Sequence, residues 1–206
     1  MTIPPPKPMD ESTARRTVQQ VFSLITAQGS TDYLGERISQ LAHSLQAASL
    51  AQRSNAPEDT ILGALLHDIG RFIPAAEKME SMTAADGTYV GKASHELVGE
   101  RYLRSLGFSE KICALVGAHV VAKRYLTAVE EGYWEALSES SKTTLRYQGG
   151  PFTDAEVAEA RKDPLLGDKL AVRRWDDQAK DPNMTTPDLQ SFEDMAVRSL
   201  LRSTGC

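Results

Sequence analysis

The sequence predicts an all-α fold, and three observations predict it. Apolar residues recur at intervals of three and four along nearly the whole chain. No stretch alternates polar and apolar residues over the length that a strand needs. Breakers such as Asn55-Ala-Pro57, Pro74, Gly107 and Gln148-Gly-Gly-Pro151 separate the periodic stretches.

Taken in order, residues 1–10 read as a Pro-rich extended arm and residues 11–206 as one domain. A first helix is predicted over 11–28, opened by Asp10 or Ser12. A second is predicted over 31–53, bounded by Thr31 and by Asn55-Ala-Pro57, with Leu34, Ile38, Leu41, Leu45 and Ala48 on one face. A buried helix follows over about 58–72 and ends before Pro74. The mixed stretch 75–92 reads as a loop lying over a site. Helices are expected over about 94–106 and 109–122, with Gly107 as a C-terminal cap between them. One or two short helices fit 124–148, and Thr153-Asp-Ala-Glu156 is a capping box. Another helix fits 165–179. Thr186-Pro187 then opens a last one with Leu189, Phe192, Ala196 and Leu200 on one face.

Composition narrows the function classes. With 206 residues, 41% hydrophobic and 25% charged, the chain has the mix of a soluble globule. Its longest clean apolar stretch, Ile61 to Leu66, is too short to cross a membrane, and the first twelve residues lack the apolar core of a secretory signal. A net charge of −5 without a Lys/Arg block argues against nucleic acid as a partner. Two cysteines, Cys113 and Cys206, make no disulfide framework, which fits a cytoplasmic, reducing setting.

Histidine carries the sharper signal. The four in the chain, His43, His67, His95 and His119, follow at intervals of 24, 28 and 24 residues, each in or beside an apolar segment. Tyr33, Glu36, Gln40 and His43 are spaced 3, 4 and 3, one stripe on the expected second helix. His67-Asp68 ends the most apolar helix, where an ionised carboxylate costs several kcal/mol unless a cation pairs with it. A metal ion beside neutral imidazoles is the obvious cation. Asp176 lies three residues after Arg173 and four before Lys180, in a stripe of cation, anion, cation; Asp177 would point about 100° away. Four histidines and two carboxylates suit two metals sharing a bridging carboxylate. The all-N/O set, without thiolate, favours iron or manganese over a structural zinc.

These residues resemble the signature of the HD-domain superfamily: His43, His67-Asp68 and a late Asp176. The chain is more specifically similar to the mixed-valent diiron oxygenases of that superfamily. Those enzymes cleave the carbon–phosphorus bond of 1-hydroxy-2-aminoethylphosphonate-type compounds. Tyr33-Leu-Gly-Glu36 ahead of the first histidine, Lys123 one turn past His119, Ser141, Thr144 and Arg173 carry that likeness. It implies an HD-domain helical bundle holding two Fe ions, Fe(II) and Fe(III), bound by His43, His67, Asp68, Asp176, His95 and His119, with Asp68 bridging. It also implies that Tyr33 is a transient metal ligand gating the site with Glu36, which then faces the substrate nitrogen. Lys123, Ser141, Thr144, Arg71 and Arg173 would hold the phosphonate, with O2 as co-substrate. Arg71 stands where the aminoethylphosphonate enzymes have a histidine.

Blander readings stand beside these. Lys123 with Arg124 fits a solvated face, Ser141 and Thr144 fit helix caps, and Glu36 with Arg173 fits a structural ion pair. Lys180 reads as support for Asp176. Two substrates fit the resemblance: (R)-1-hydroxy-2-(trimethylammonio)ethylphosphonate, giving glycine betaine and phosphate, or the primary amine, giving glycine. The aromatic residues Phe72, Tyr89, Tyr125, Tyr133 and Trp134, with Tyr33, favour the quaternary cation if they face the pocket. A metal-dependent phosphohydrolase is the alternative from another class.

Overall fold

The computed structural model describes residues 9–30, 33, 37–74, 81–83, 89–92 and 94–203, with the backbone alone at 81–83, 89–92 and 203. Most of the Pro-rich arm, Glu36 and Cys206 lie outside the described residues.

Helix α1 (Glu11–Gln28) opens where the Asp10 carboxylate accepts the Thr13 N–H at 2.8 Å, and it buries Ala14, Val18, Val21, Phe22 and Ile25. The second helix starts later than the periodicity predicts. Helix α2 runs Gln40–Arg53, capped by Ser39, whose Oγ accepts the Ala42 N–H at 3.1 Å. Ahead of the helix, the Tyr33 N–H instead donates to the Ile38 carbonyl at 2.9 Å. A Ser hydroxyl that caps a helix gives the chain an alternative to another helical turn, and here the cap wins. Tyr33, Gln40 and His43 therefore do not share one helical stripe.

Helix α3 (Glu58–Leu66) also departs from the expected 58–72. His67 and Asp68 leave the α-helix, and Ile69–Arg71 form a 3-10 turn. A two-stranded antiparallel hairpin, β1 (Ser81–Thr83) with β2 (Tyr89–Lys92), follows within the stretch read as loop. The chain is all-α as expected, and this short hairpin is the exception to it among the described residues. Asp86-Gly87 between two short runs was the sequence signal for it.

Helix α4 (His95–Ser105) ends before Gly107, whose φ of +88° matches its expected capping role. The helix expected over 109–122 is two, α5 (Glu110–Val116) and α6 (His119–Val129), bent by 59°. Next come α7 (Tyr133–Ala136), α8 (Glu139–Tyr147) and α9 (Asp154–Ala160); α9 carries the predicted capping box. Helix α10 (Leu166–Gln178) precedes a 3-10 turn at Leu189–Phe192, capped by Asp188 rather than opened by Thr186-Pro187, and α11 (Glu193–Ser203).

Helices α2 and α3 pack on each other at the centre; α3, apolar on most sides, is buried over 60–66, and α2 buries the polar His43, Ser44, Gln46 and Ser49 together with its apolar residues. Helix α5 covers α3, α10 covers α2 and α6, and α1 packs with α11. A smaller cluster of Leu126, Tyr133, Leu137 and Leu145 ties α6, α7 and α8 together beside Leu170 of α10. Among the described residues no single helix is long and apolar enough to cross a membrane.

Candidate metal centre

Four helices deliver the four histidines to one buried place. His43 comes from within α2, His67 from the end of α3, and His95 and His119 from the first residues of α4 and α6. Three are pinned through Nδ1: His43 to the Ala179 carbonyl at 2.8 Å, His67 to Ala64 at 2.8 Å and His119 to Val116 at 3.1 Å. Burial, above all, lowers the pKa of His67 and takes that of His119 well below the usual histidine range. Neutral rings that donate from Nδ1 present bare lone pairs at Nε2.

The Nε2 atoms of the four rings face one another in two pairs. His43 Nε2 lies 3.0 Å from His67 Nε2, and His95 Nε2 lies 3.0 Å from His119 Nε2. Two acceptors at that distance repel unless a cation takes both. Nitrogens so spaced are close enough for one ion to be held by both, at the ~2.1 Å typical of metal–imidazole bonds.

Asp68 stands between the pairs. Its Oδ1 is 3.0 Å from His95 Nε2, and its Oδ2 is 3.8 Å from His67 Nε2. Oδ2 is buried with no hydrogen-bond partner among the described residues, a cost that a bound cation removes. Burial works to raise the Asp68 pKa, but the Arg71 guanidinium, then His67 and His95, hold it well below the carboxylate range. Asp176 reaches in from α10, with Oδ1 3.3 Å from His43 Nε2 and Oδ2 accepting from Arg173 Nη1 at 2.6 Å. Burial opposes ionisation there too, and Arg173 with the His43 hydrogen bond keeps the carboxylate charged. The ligand atoms thus form two groups, His43–His67–Asp68 and Asp68–His95–His119, with Asp68 common to both. The donor set fits two metal ions.

Backbone contact sets the spacing between the groups. A Cβ on Gly70 would lie 1.9 Å from the His95 carbonyl oxygen, so only glycine lets the 3-10 turn carrying Asp68 seat against α4.

Tyr33 stacks on His43 with ring centroids 3.8 Å apart, and its hydroxyl is 3.4 Å from Asp176 Oδ1. Burial, then Asp176 and Asp68, push its pKa well up, which leaves a neutral phenol. Beside it a pocket of about 30 Å³ opens onto the two ligand groups, lined by Arg71, Lys123, Ser141, Thr144, Arg173 and Lys180 among others. Lys123 Nζ donates to Thr144 Oγ1 at 2.7 Å and to the Ser141 carbonyl at 3.4 Å. Burial and then Arg173 lower its pKa to about 7.

The histidine–aspartate geometry has a counterpart in the comparisons, where residues 40–149 match the HD domain. The chain belongs to the HD-domain family. Three relatives extend the likeness over most of the chain. It is 38% identical over 188 residues, 91% of this chain and 92% of the relative, to the [1-hydroxy-2-(trimethylamino)ethyl]phosphonate dioxygenase (glycine-betaine-forming) of Leisingera caerulea. It is 38% identical over 175 residues, 85% of this chain and 84% of the relative, to the hydroxymethylphosphonate dioxygenase of Gimesia maris. An uncharacterized protein of Acanthamoeba polyphaga mimivirus is 35% identical over 189 residues, 92% of this chain and 84% of the relative.

Against this HD-domain frame, the expected site residues sort into those the pocket gathers and those it does not. Arg71 faces the pocket, but its Nε is 2.9 Å from Asp68 Oδ1. Arg173 also lines it, with its donors committed to Asp176, the Tyr133 hydroxyl at 3.2 Å and Asp177. Lys180 donates to Ser138 Oγ at 3.1 Å. The aromatic expectation is corrected. Phe72 is in the main core, Tyr125 packs on Phe152, Tyr133 binds Asp177 and Trp134 packs on the smaller cluster. The Tyr89 side chain lies outside the described residues, and among those described Tyr33 is the aromatic lining the pocket. Sequence reasoning missed Ser138, Ser140 and Gln148, all pocket-lining. Gln148 follows Ser141 and Thr144 by seven and four residues, the α8 stripe that could have found it.

Proposed function

We propose that this HD-domain protein is a diiron oxygenase that cleaves the carbon–phosphorus bond of a 1-hydroxyphosphonate. One observation carries the reading: two pairs of facing imidazoles share Asp68 beside a small pocket walled by Arg71, Lys123, Arg173 and Lys180. Both named relatives are phosphonate dioxygenases, which supports it. The balanced reaction converts R–CH(OH)–PO₃²⁻ and O2 into R–COO⁻, HPO₄²⁻ and H⁺; carbon is oxidised, O2 is reduced, and the C–P bond breaks.

His43, His67, Asp68 and Asp176 would hold one iron, and Asp68, His95 and His119 the other. When bound, the iron pair supplies the electrons and the Lewis acidity that bring O2 and the hydroxyl-bearing carbon together. Lys123 supplies the charge-assisted hydrogen bond for a phosphonate oxygen, with Thr144 and the Ser141 carbonyl aiming its ammonium. Arg71 balances Asp68 and brings positive charge to the pocket. Arg173 holds Asp176 in place. Tyr33 covers His43 as a phenol donor and leaves when substrate enters; Glu36 would face the cationic end.

We take R to be trimethylammoniomethyl, the reading supported by the relative aligned over most of both chains. Hydroxymethylphosphonate is the second reading, favoured by a second relative and by the single described aromatic in the pocket. The test loads the protein with iron and follows O2 uptake and phosphate release for the trimethylammonium, primary-amine and hydroxymethyl compounds. The highest kcat/KM belongs to the trimethylammonium compound if the first reading holds. Phosphate released from esters without O2 uptake would instead make the protein a phosphohydrolase.

Lys123 adds a pH signature. Its ammonium binds the anion only while protonated, so kcat/KM should fall as pH rises through about 7. Lys123→Arg should move that limb to higher pH, because guanidinium stays charged. Lys123→Met should cost roughly 10–150-fold in kcat/KM, the size of one hydrogen bond to a charged group. A pH–rate profile unchanged in Lys123→Arg would remove Lys123 from phosphonate binding.

A further inference from the structure

Helix α10 ends in a turn that serves the site twice. Ala179 has φ −76° and ψ +54°, and the Lys180 N–H donates to the Gln178 carbonyl at 2.8 Å, an inverse γ-turn. The Ala179 carbonyl accepts from His43 Nδ1 at 2.8 Å. The next residue, Lys180, lines the pocket and donates to Ser138 Oγ at 3.1 Å. One hydrogen bond closes the turn, which is little to hold two groups in register. Gln46 of α2 adds the anchor. It is 2% exposed, its Nε2 donates to the Asp181 carbonyl at 2.7 Å, and its Oε1 accepts the Asp181 N–H at 3.1 Å. Donor and acceptor of one planar amide on one residue's backbone fix both its position and its orientation. Gln46 is not one of the described residues that line the pocket.

We propose that Gln46 is a positioning residue: it anchors the segment Ala179–Asp181 so that the Ala179 carbonyl meets the His43 ring and Lys180 meets the pocket. The proposal rests on the metal-centre and phosphonate readings above. Gln46 and His43 stand one turn apart on one face of α2, so a single helix edge grips both ends of the segment. A partner held firmly behind a metal-binding imidazole sets its tautomer and its aim. Lys180 lies between the two gripped residues, so its ammonium reaches towards the pocket from a fixed backbone. Without the Gln46 amide, the peptide of the exposed Asp181 turns to water, and the segment loses its second hold on α2.

The test titrates metal-free wild-type protein and Gln46→Met with ferrous iron under anaerobic conditions. It then measures the binding of inorganic phosphate to each iron-saturated protein, and it records the Tm of each metal-free protein. Gln46→Met keeps the side-chain length and loses both hydrogen bonds. Affinity at one of the two metal positions should fall about tenfold, the low end for losing the support of a metal-binding histidine. Phosphate affinity should fall roughly 3–10-fold, the size of one hydrogen bond. In a Lys180→Met background the same change should again lower iron affinity, but leave phosphate affinity where Lys180→Met alone puts it. Val197→Ala, on the main core in α11, is the control for lost stability alone, with a lower Tm and both affinities at wild type. Unchanged affinity for iron or for phosphate in Gln46→Met would overturn the proposal and leave Gln46 a structural residue, visible only in Tm. If Gln46→Met does not fold, Gln46→Glu decides, since it keeps the acceptor and loses the donor. Weaker iron binding, opposite to what an added negative charge does, supports the proposal; unchanged or tighter binding overturns it. A wild-type protein that binds fewer than two ions would overturn the metal-centre reading itself, and this proposal with it.

Discussion

Asp68→Asn is expected to lower bound iron from about two ions per chain to about one. The His95–His119 position would keep only two protein ligands, whereas the other position would keep His43, His67 and Asp176. An amide is nearly isosteric but neutral, and it cannot offer a charged oxygen to each of two ions. Turnover should therefore drop more than about a hundredfold, beyond the 10–100-fold typical of losing a supporting partner. Metal analysis of the purified variant, with O2 uptake on the preferred phosphonate, checks both halves. Two ions retained at wild-type affinity would show that Asp68 is not shared. Arg71 makes the metal-free variant informative as well. It loses the carboxylate 2.9 Å from its Nε, so metal-free Asp68→Asn should be less stable than metal-free wild type.

Gly70→Ala should damage both stability and metal binding without touching a ligand. The new methyl would stand 1.9 Å from the His95 carbonyl oxygen and 2.8 Å from the Gly99 nitrogen, all backbone, so no side chain can swing aside. Overpacking of this kind costs about 3 kcal/mol, or roughly 6–12 °C in Tm for a chain of this size. The shift that relieves the clash parts Asp68 from His95, so the affinity of the second ion should fall with Tm. Gly167→Ala is the matched control. A Cβ there meets nothing within 4 Å, and the change in α10 should be neutral or stabilising by up to about 1 kcal/mol. In thermal melts, metal-free and iron-loaded, Gly70→Ala should melt below wild type while Gly167→Ala does not. A Gly70→Ala protein melting with wild type would mean that the turn and α4 do not seat as described.

By itself the sequence determined the helical class, the helix starts marked by their own caps at Asp10 and Thr153, and the inventory of imidazoles and carboxylates. Those features are local: a side chain satisfies an N–H three residues on, or a residue type restricts the chemistry wherever it ends up. The tertiary structure decided what depends on distant neighbours. Periodicity continues through Thr31–Ile38, His67-Asp68 and Gly117-Ala118, yet the helix starts late, stops early and bends at these places. Local propensity at such points is worth only tenths of a kcal/mol per residue, and burial of the site overrides it. The short hairpin depends on pairing between strands only three and four residues long, which one-dimensional periodicity does not register. Arg173 and the aromatics show the same division. Their residue types suggested substrate contacts, but a guanidinium buried between Asp176 and Asp177 and rings buried in two cores are committed by packing from other helices. Which cation is left to meet a substrate is a question of whose charge is already matched, and only the assembled helices answer it.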